Sequence, residues 1–123
     1  MINHVSIGVH DIARSKRFYD AALKPLGYTC LSDGETSLGY GKESAAFWLY
    51  QSASPVPADP KSGLHFCLDA PTRKSVDGFH ADALSTGGKD NGKPGLRADY
   101  APTYYAAFLI DPDGNNVEAV CVK

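Results

Sequence analysis

The chain contains an internal repeat with an offset of 61 residues, and this repeat limits the folds that are open to it. The offset aligns His4 with His65 and Phe18 with Phe79, and it also aligns pairs of identical smaller residues, namely Ala22/Ala83, Leu23/Leu84 and Gly27/Gly88. A repeat of about 60 residues buries so little apolar surface that its stability alone is marginal at best. The two repeats must therefore pack against each other or against a partner chain.

The first repeat is predicted to form one strand, one helix and three further strands. Apolar and polar residues alternate over 2–9, which is typical of a strand, and Asp11 is a natural N-cap for the helix that follows. Pro25 and Gly27 end that helix. Glycines then separate three short predicted strands, near 28–33, 36–41 and 45–51.

The second repeat follows a proline-rich linker and has the same order of elements. A strand is predicted at 63–69, and Thr72 begins a second helix that ends at two glycines, Gly87 and Gly88. Residues 87–103 form a long loop or contain a short strand. Two final strands, 103–110 and 115–122, flank the strong turn signal Asp111-Pro112-Asp113-Gly114.

These elements predict one α+β domain over residues 1–123. Module one covers 1–52, a linker covers 52–62, and module two covers 63–123. Two βαβββ modules then form a curved mixed sheet shaped as a cup, with the helices on its outer face against the aliphatic rows of the strands.

Composition narrows the class of protein. The formal net charge of -2 and the lack of a basic patch argue against a nucleic-acid or membrane-surface partner. No long apolar run or signal-like segment is visible, so we expect a chain that is neither membrane-spanning nor exported. Three cysteines without a C-x-x-C spacing fit a reducing compartment, and we expect a cytoplasmic protein.

Three polar residues interrupt apolar strands on the face opposite the helices: His4, His65 and Glu118. Two imidazoles and one carboxylate are the donor set of a facial triad, which leaves open positions on a divalent metal for water and substrate. The competing interpretation is that each histidine is simply hydrogen-bonded and that the carboxylate is solvated on an open face.

Aromatic residues and one arginine are candidates for substrate contacts around this triad. Arg97 either binds a carboxylate or phosphonate with both arms of its guanidinium or is a solvated loop arginine. Only one of the neighbours Tyr104 and Tyr105 can face the cup, because their side chains alternate. The full candidate set is Tyr40, Trp48, Tyr50, Arg97, Tyr100, Tyr104 and Tyr105.

With these residues in hand, the chain resembles the vicinal oxygen chelate superfamily, which includes glyoxalase I, bleomycin-binding proteins, fosfomycin-modifying enzymes and extradiol dioxygenases. The resemblance covers nearly the whole chain and rests on INHVSIGVHD at the start, GLHF in the middle and, most specifically, DPDGNNVE near the end. It implies that His4, His65 and Glu118 occupy ligand positions, and that the protein is a homodimer. In some relatives, modules from different chains build each cup.

One position departs from the glyoxalase I pattern. Glyoxalase I adds a second glutamate from the fourth strand of the first module, and the matching residue here is Trp48. The remaining ligand set resembles the fosfomycin-modifying and dioxygenase branches more than glyoxalase I, and no general base is assigned.

The resulting functional hypothesis is a metal-dependent enzyme that chelates a small, oxygen-rich organic substrate to one divalent ion of Fe, Mn, Zn, Ni or Co. The alternative is a metal-free protein that binds and sequesters a small molecule, as the bleomycin-binding relatives do.

Overall fold

A computed structural model describes all 123 residues and contains the two predicted repeats of one strand, one helix and three strands. The first repeat forms β1 (Val5–Val9), α1 (Ile12–Leu23), β2 (Thr29–Asp33), β3 (Ser37–Gly41) and β4 (Ala45–Gln51). The second forms β5 (His65–Asp69), α2 (Arg73–Leu84), β6 (Lys89–Leu96), β7 (Tyr105–Ile110) and β8 (Asn116–Cys121).

The two helices have the bounds that the repeat predicts. Shifting α1 by 61 residues reproduces the first and last residues of α2. Asp11 caps α1 by accepting a hydrogen bond from the backbone of Arg14, and Thr72 caps α2 in a reciprocal arrangement with Ser75. Neither helix is long and apolar enough to cross a membrane.

The strands form two open, mixed, four-stranded sheets. The first sheet has the order β1-β4-β3-β2 and the second has the order β5-β8-β7-β6. In each, the first strand pairs in parallel with the last, and the other neighbours are antiparallel. The predicted α+β class and the two βαβββ modules are confirmed. The alternative left open for residues 87–103 is resolved in favour of a strand, β6, which is interrupted by irregularities near Gly92.

One hydrophobic core joins the two repeats. The helix-facing rows of both sheets pack against α1 and α2, and the helices pack against each other. Phe47 of the first sheet and Phe66 of the second meet edge to face, with ring centroids 5.8 Å apart. Each sheet therefore buries one face in the shared core, and its other face, which we call the open face, carries the polar and aromatic residues discussed below.

A buried carboxylate ties α1 to the second sheet. Asp111, in the turn between β7 and β8, is 3% exposed. Its Oδ2 accepts hydrogen bonds from the Tyr19 hydroxyl at 2.6 Å and from the Asn115 amide at 3.1 Å. Its Oδ1 accepts the backbone N–H groups of Asp113 and Asn115. Burial disfavours the charged form of Asp111 and raises its pKa above the usual range. The hydrogen-bond donors around the carboxylate act in the opposite direction and offset part of the cost of burying its charge.

The same turn also contacts the first turn of α1. Asp113 accepts a hydrogen bond from the Arg14 guanidinium at 3.0 Å, one from the Ser15 hydroxyl at 3.3 Å and one from the backbone of His10 at 3.1 Å. The sequence predicted this segment only as a turn. In the fold it also makes most of the polar side-chain contacts between the two repeats, which include a further bond from the Tyr28 hydroxyl to the carbonyl of Asp69.

We expect the substitution Tyr19→Phe to lower the free energy of unfolding by about 1–3 kcal/mol, because it removes the shorter of the two hydrogen bonds to Oδ2 of the buried Asp111 carboxylate. Tyr105→Phe is the matched control, since that hydroxyl makes an equally short bond of 2.6 Å to the exposed Asp77, which water can solvate instead. Urea unfolding would measure both. Equal losses in the two variants would contradict the role assigned to Asp111.

Candidate functional site

The repeat makes positions on the two open faces equivalent. In the second sheet, Cys67 of β5 lies opposite Glu118 of β8, and in the first sheet Ser6 of β1 lies opposite Trp48 of β4. Because Ser6 and Cys67 are 61 residues apart, Trp48 occupies the place in the first sheet that Glu118 occupies in the second. The two open faces therefore have the same strand arrangement but present different side chains at equivalent positions.

The open face of the second sheet carries a short hydrogen-bonded chain of side chains centred on Glu118. Glu118 is 2% exposed, and its Oε1 lies 3.0 Å from Nε2 of His65. Its Oε2 accepts a hydrogen bond from the Tyr104 hydroxyl at 2.5 Å. The His65 side chain is 47% exposed, so the pair has one buried member and one that solvent or a ligand can reach.

Cys67, which is not among the predicted site residues, belongs to the same group of side chains. Its Sγ lies 3.9 Å from the Tyr104 hydroxyl oxygen. Burial and the neighbouring Glu118 carboxylate raise the pKa of Cys67 to about 12, and burial also raises the pKa of Tyr104. Both groups are protonated at neutral pH. The sequence signal for Cys67 is its spacing from His65: residues two apart on a strand lie on the same face of the sheet.

The donor types at this pair fit a divalent metal, but the set within one chain is incomplete. An imidazole nitrogen and a carboxylate oxygen are suitable ligands for first-row metals. No group of three or more histidine, cysteine or acidic residues is arranged to hold an ion. His4 lies before β1, which begins three residues later than the predicted strand, and its Nδ1 contacts Asn3 at 2.8 Å. The structure thus brings together His65 and Glu118, and leaves His4 apart.

Two of the predicted substrate contacts form an aromatic pair on the open face of the first sheet. The rings of Trp48 and Tyr50 stack with centroids 6.2 Å apart and planes inclined by 20°. The indole also covers Gly39 on β3, where a side chain would collide with it. Trp48 therefore needs the glycine beneath it, and Phe108 occupies the equivalent place in the second sheet.

Three more predicted contacts lie along the open face of the second sheet. Tyr100 packs edge to face on Tyr104, with centroids 5.1 Å apart. The Arg97 guanidinium lies over the ring of Phe108, 5.4 Å from its centroid, and Phe108 in turn lies beside His65. Phe108 is thus a further residue of this face that the sequence did not single out.

The other two predicted contacts lie on the helix-facing side. Tyr40 is buried in the core and donates a hydrogen bond to Asp20 of α1 at 2.8 Å. Tyr105 donates to Asp77 of α2. Of the neighbours Tyr104 and Tyr105, it is Tyr104 that reaches Glu118, whereas Tyr40 and Tyr105 lie away from the open faces.

We expect Gly39→Ala to displace the indole of Trp48. A Cβ at this position would lie 2.8 Å from the indole Cζ3 and 2.9 Å from the Cβ of Ala45. The chain has one tryptophan, so its fluorescence emission reports on this face alone, and we expect a shift to longer wavelength as the ring becomes more exposed. Gly34→Ala, whose Cβ would meet only Ser37, is the control. An unchanged spectrum in Gly39→Ala would show that the packing is misassigned.

Structures of similar architecture support the fold. A glyoxalase/bleomycin resistance protein from Albidiferax ferrireducens T118 is 32% identical, with 96% of each chain covered and a TM-score of 0.83. A glyoxalase I variant from Zea mays is 25% identical over 97% of this chain and 43% of its own, with a TM-score of 0.66. A glyoxalase/bleomycin resistance protein/dioxygenase family enzyme from Burkholderia phytofirmans PsJN shares the fold at 16% identity, with a TM-score of 0.73 over 99% of this chain and 98% of its own.

No curated protein sequence is significantly similar to this chain. A family model, described as the Glyoxalase/Bleomycin resistance protein/Dioxygenase superfamily, matches residues 1–119, which is nearly the full length. The two βαβββ modules and their open sheets agree with that match. The chain therefore belongs to the Glyoxalase/Bleomycin resistance protein/Dioxygenase superfamily.

Proposed function

We propose that this chain is a metal-dependent enzyme that acts on a small, oxygen-rich organic molecule. The observation that carries the proposal is the contact between His65 and Glu118, whose nearest nitrogen and oxygen atoms lie 3.0 Å apart on an open face. Glu118 is almost fully buried, and a buried carboxylate is costly unless a cation or hydrogen-bond donors compensate it. A carboxylate kept beside a partly exposed imidazole is suited to holding an ion that a substrate can reach.

His65 and Glu118 are the residues of this site that would hold the ion, for which Fe, Mn, Zn, Ni and Co are the candidates. When bound, such an ion supplies a Lewis acid that polarises a substrate oxygen. Tyr104 orients Glu118 through its short hydrogen bond and keeps a protonated hydroxyl at the site. Tyr100 and Phe108 provide apolar walls that limit water around a bound molecule.

We propose that the third ligand is His4 of a second copy of the chain, and that the working form is a homodimer. In a single chain His4 is exposed, and its side chain forms a hydrogen bond with its neighbour Asn3. The adjoining edges carry exposed apolar residues, with Ile2 at 69% and Leu64 at 60% exposure. β1 and β5 are both edge strands, and such edges are commonly covered by a partner.

A second candidate function is metal-free binding of a small aromatic compound. The stacked pair of Trp48 and Tyr50 on an open face favours it, because such a pair offers a flat apolar surface to a planar ligand. Both oxygens of Glu118 already accept hydrogen bonds within the chain, so the carboxylate does not require an ion to be satisfied.

Elemental analysis of the purified protein after reconstitution with Mn(II), Fe(II), Zn(II) and Ni(II) would separate these functions. We expect about one ion per chain in the wild type, and a loss of most of it in His65→Ala and in Glu118→Gln, since each removes a donor. His10→Ala is the matched control, because His10 is exposed and lies outside the site. If the wild type retains no ion under any of these conditions, the binding function is favoured.

The shared site has a test of its own. His4→Ala and His65→Ala chains would be mixed, unfolded together and refolded. Half of the resulting dimers would contain one chain of each kind, and each of these would have one intact site, so about one quarter of all sites would bind metal. Measuring metal stoichiometry against each variant refolded alone gives the comparison. No recovery in the mixture would contradict a site built from two copies.

A further inference from the structure

Arg97 is held rigidly on the open face of the second sheet. One end of its guanidinium, Nη1, donates to the carbonyl of Gly95 at 2.9 Å, and Nη2 donates to the carbonyl of Lys93 at 2.7 Å. The plane lies over Phe108 at 5.4 Å. Two hydrogen bonds and one aromatic contact fix this side chain, so little conformational entropy remains to be lost on binding a ligand.

The backbone around Arg97 is also fixed. Its N–H donates to the carbonyl of Tyr104 at 2.8 Å, and its own carbonyl accepts the N–H of Tyr100 at 2.9 Å. These bonds close the loop from Arg97 to Tyr104 on itself. One closed loop thus places Arg97, Tyr100 and Tyr104 along the same face, next to the contact between His65 and Glu118.

The charge of Arg97 has no acidic partner. No carboxylate lies within 4.0 Å of its guanidinium, whereas Arg14 is paired with Asp113 at 3.0 Å. Its partners are two neutral carbonyls and a ring, so its positive charge is not compensated, and two of its five N–H groups are used in these hydrogen bonds. Guanidinium N–H groups recognise the oxygens of a carboxylate or a phosphonate through charged hydrogen bonds.

We infer that Arg97 forms an oxyanion subsite, and that the ligand of this face is a small organic anion with a carboxylate or phosphonate group. This inference rests on the proposed function for its second anchor, because it places another oxygen of the same molecule near His65 and Glu118. Phe108 lies between the two anchors and supplies the apolar floor. A divalent ion held by His65 and Glu118 would add to the positive charge of Arg97, which would also favour an anionic ligand.

The test is isothermal titration calorimetry with phenylphosphonate and benzoate as anionic probes and benzamide as the neutral counterpart of benzoate. The protein is titrated both loaded with Mn(II) and free of metal. We expect the wild type to bind at least one anion and to bind it more tightly than benzamide. Arg97→Gln should weaken anion binding by about tenfold or more, the usual scale for a lost charged hydrogen bond, and Arg97→Lys should weaken it less.

Arg73→Gln is the matched control. Arg73 also lies over an aromatic ring, that of Tyr105, at 5.4 Å, but on the helix-facing side of the sheet. This variant removes the same charge and the same kind of contact, and we expect it to bind the anions as the wild type does. Circular dichroism would establish that every variant is folded.

The outcomes separate this inference from the proposed function. Equal anion affinity in the wild type and Arg97→Gln, no anion binding by the wild type, or an equal loss in Arg73→Gln would each overturn the subsite. If the wild type binds no metal but binds an anion, and Arg97→Gln does not bind that anion, the subsite stands and the proposed metal-dependent function fails. If metal binding persists in Arg97→Gln while the anion affinity falls, both stand.

Discussion

The two repeats are joined through the buried carboxylate of Asp111. Its four hydrogen bonds, one of them from Tyr19 of the other repeat, hold the turn between β7 and β8 against α1. A desolvated carboxylate without these donors would be costly, so the turn and the helix are constrained to one another. This contact and the shared apolar core keep the helix-facing rows of both sheets inside, which leaves the opposite faces outside the core.

The two repeats have the same arrangement of strands and helices but carry different side chains on their open faces. Equivalent positions hold Trp48 in the first sheet and Glu118 in the second, and the residue beside each is Gly39 or Phe108. Trp48 and Gly39 depend on each other, because the indole occupies the space that the glycine leaves. The smaller Glu118 does not need that space, so a phenylalanine can stand beside it. The first open face therefore carries a stacked aromatic pair, and the second adds a hydrogen-bonded histidine and carboxylate to its aromatic residues.

Part of the candidate site could be predicted from alternation alone. His65 and Glu118 were placed on one face because side chains alternate along strands, and the structure has them in contact. The same rule places Tyr40 on the helix-facing side, because it lies two residues from Leu38 and pairs with the core residue Phe47 in regular register. Alternation does not extend through β6, because the pairing is interrupted at Gly92, where loop and strand signals were balanced in the sequence.

By itself the sequence determined the repeat, the helix bounds and caps, and the face on which most strand residues lie. These depend on interactions within a few residues of one another, which local sequence specifies directly. Only the tertiary structure decided that Asp111 joins the repeats and that His4 lies apart from His65. It also decided that two backbone carbonyls and the Phe108 ring hold Arg97, with no carboxylate beside it. Each of these depends on which segments meet across the fold, and that is decided by packing and hydrogen bonding between distant parts of the chain.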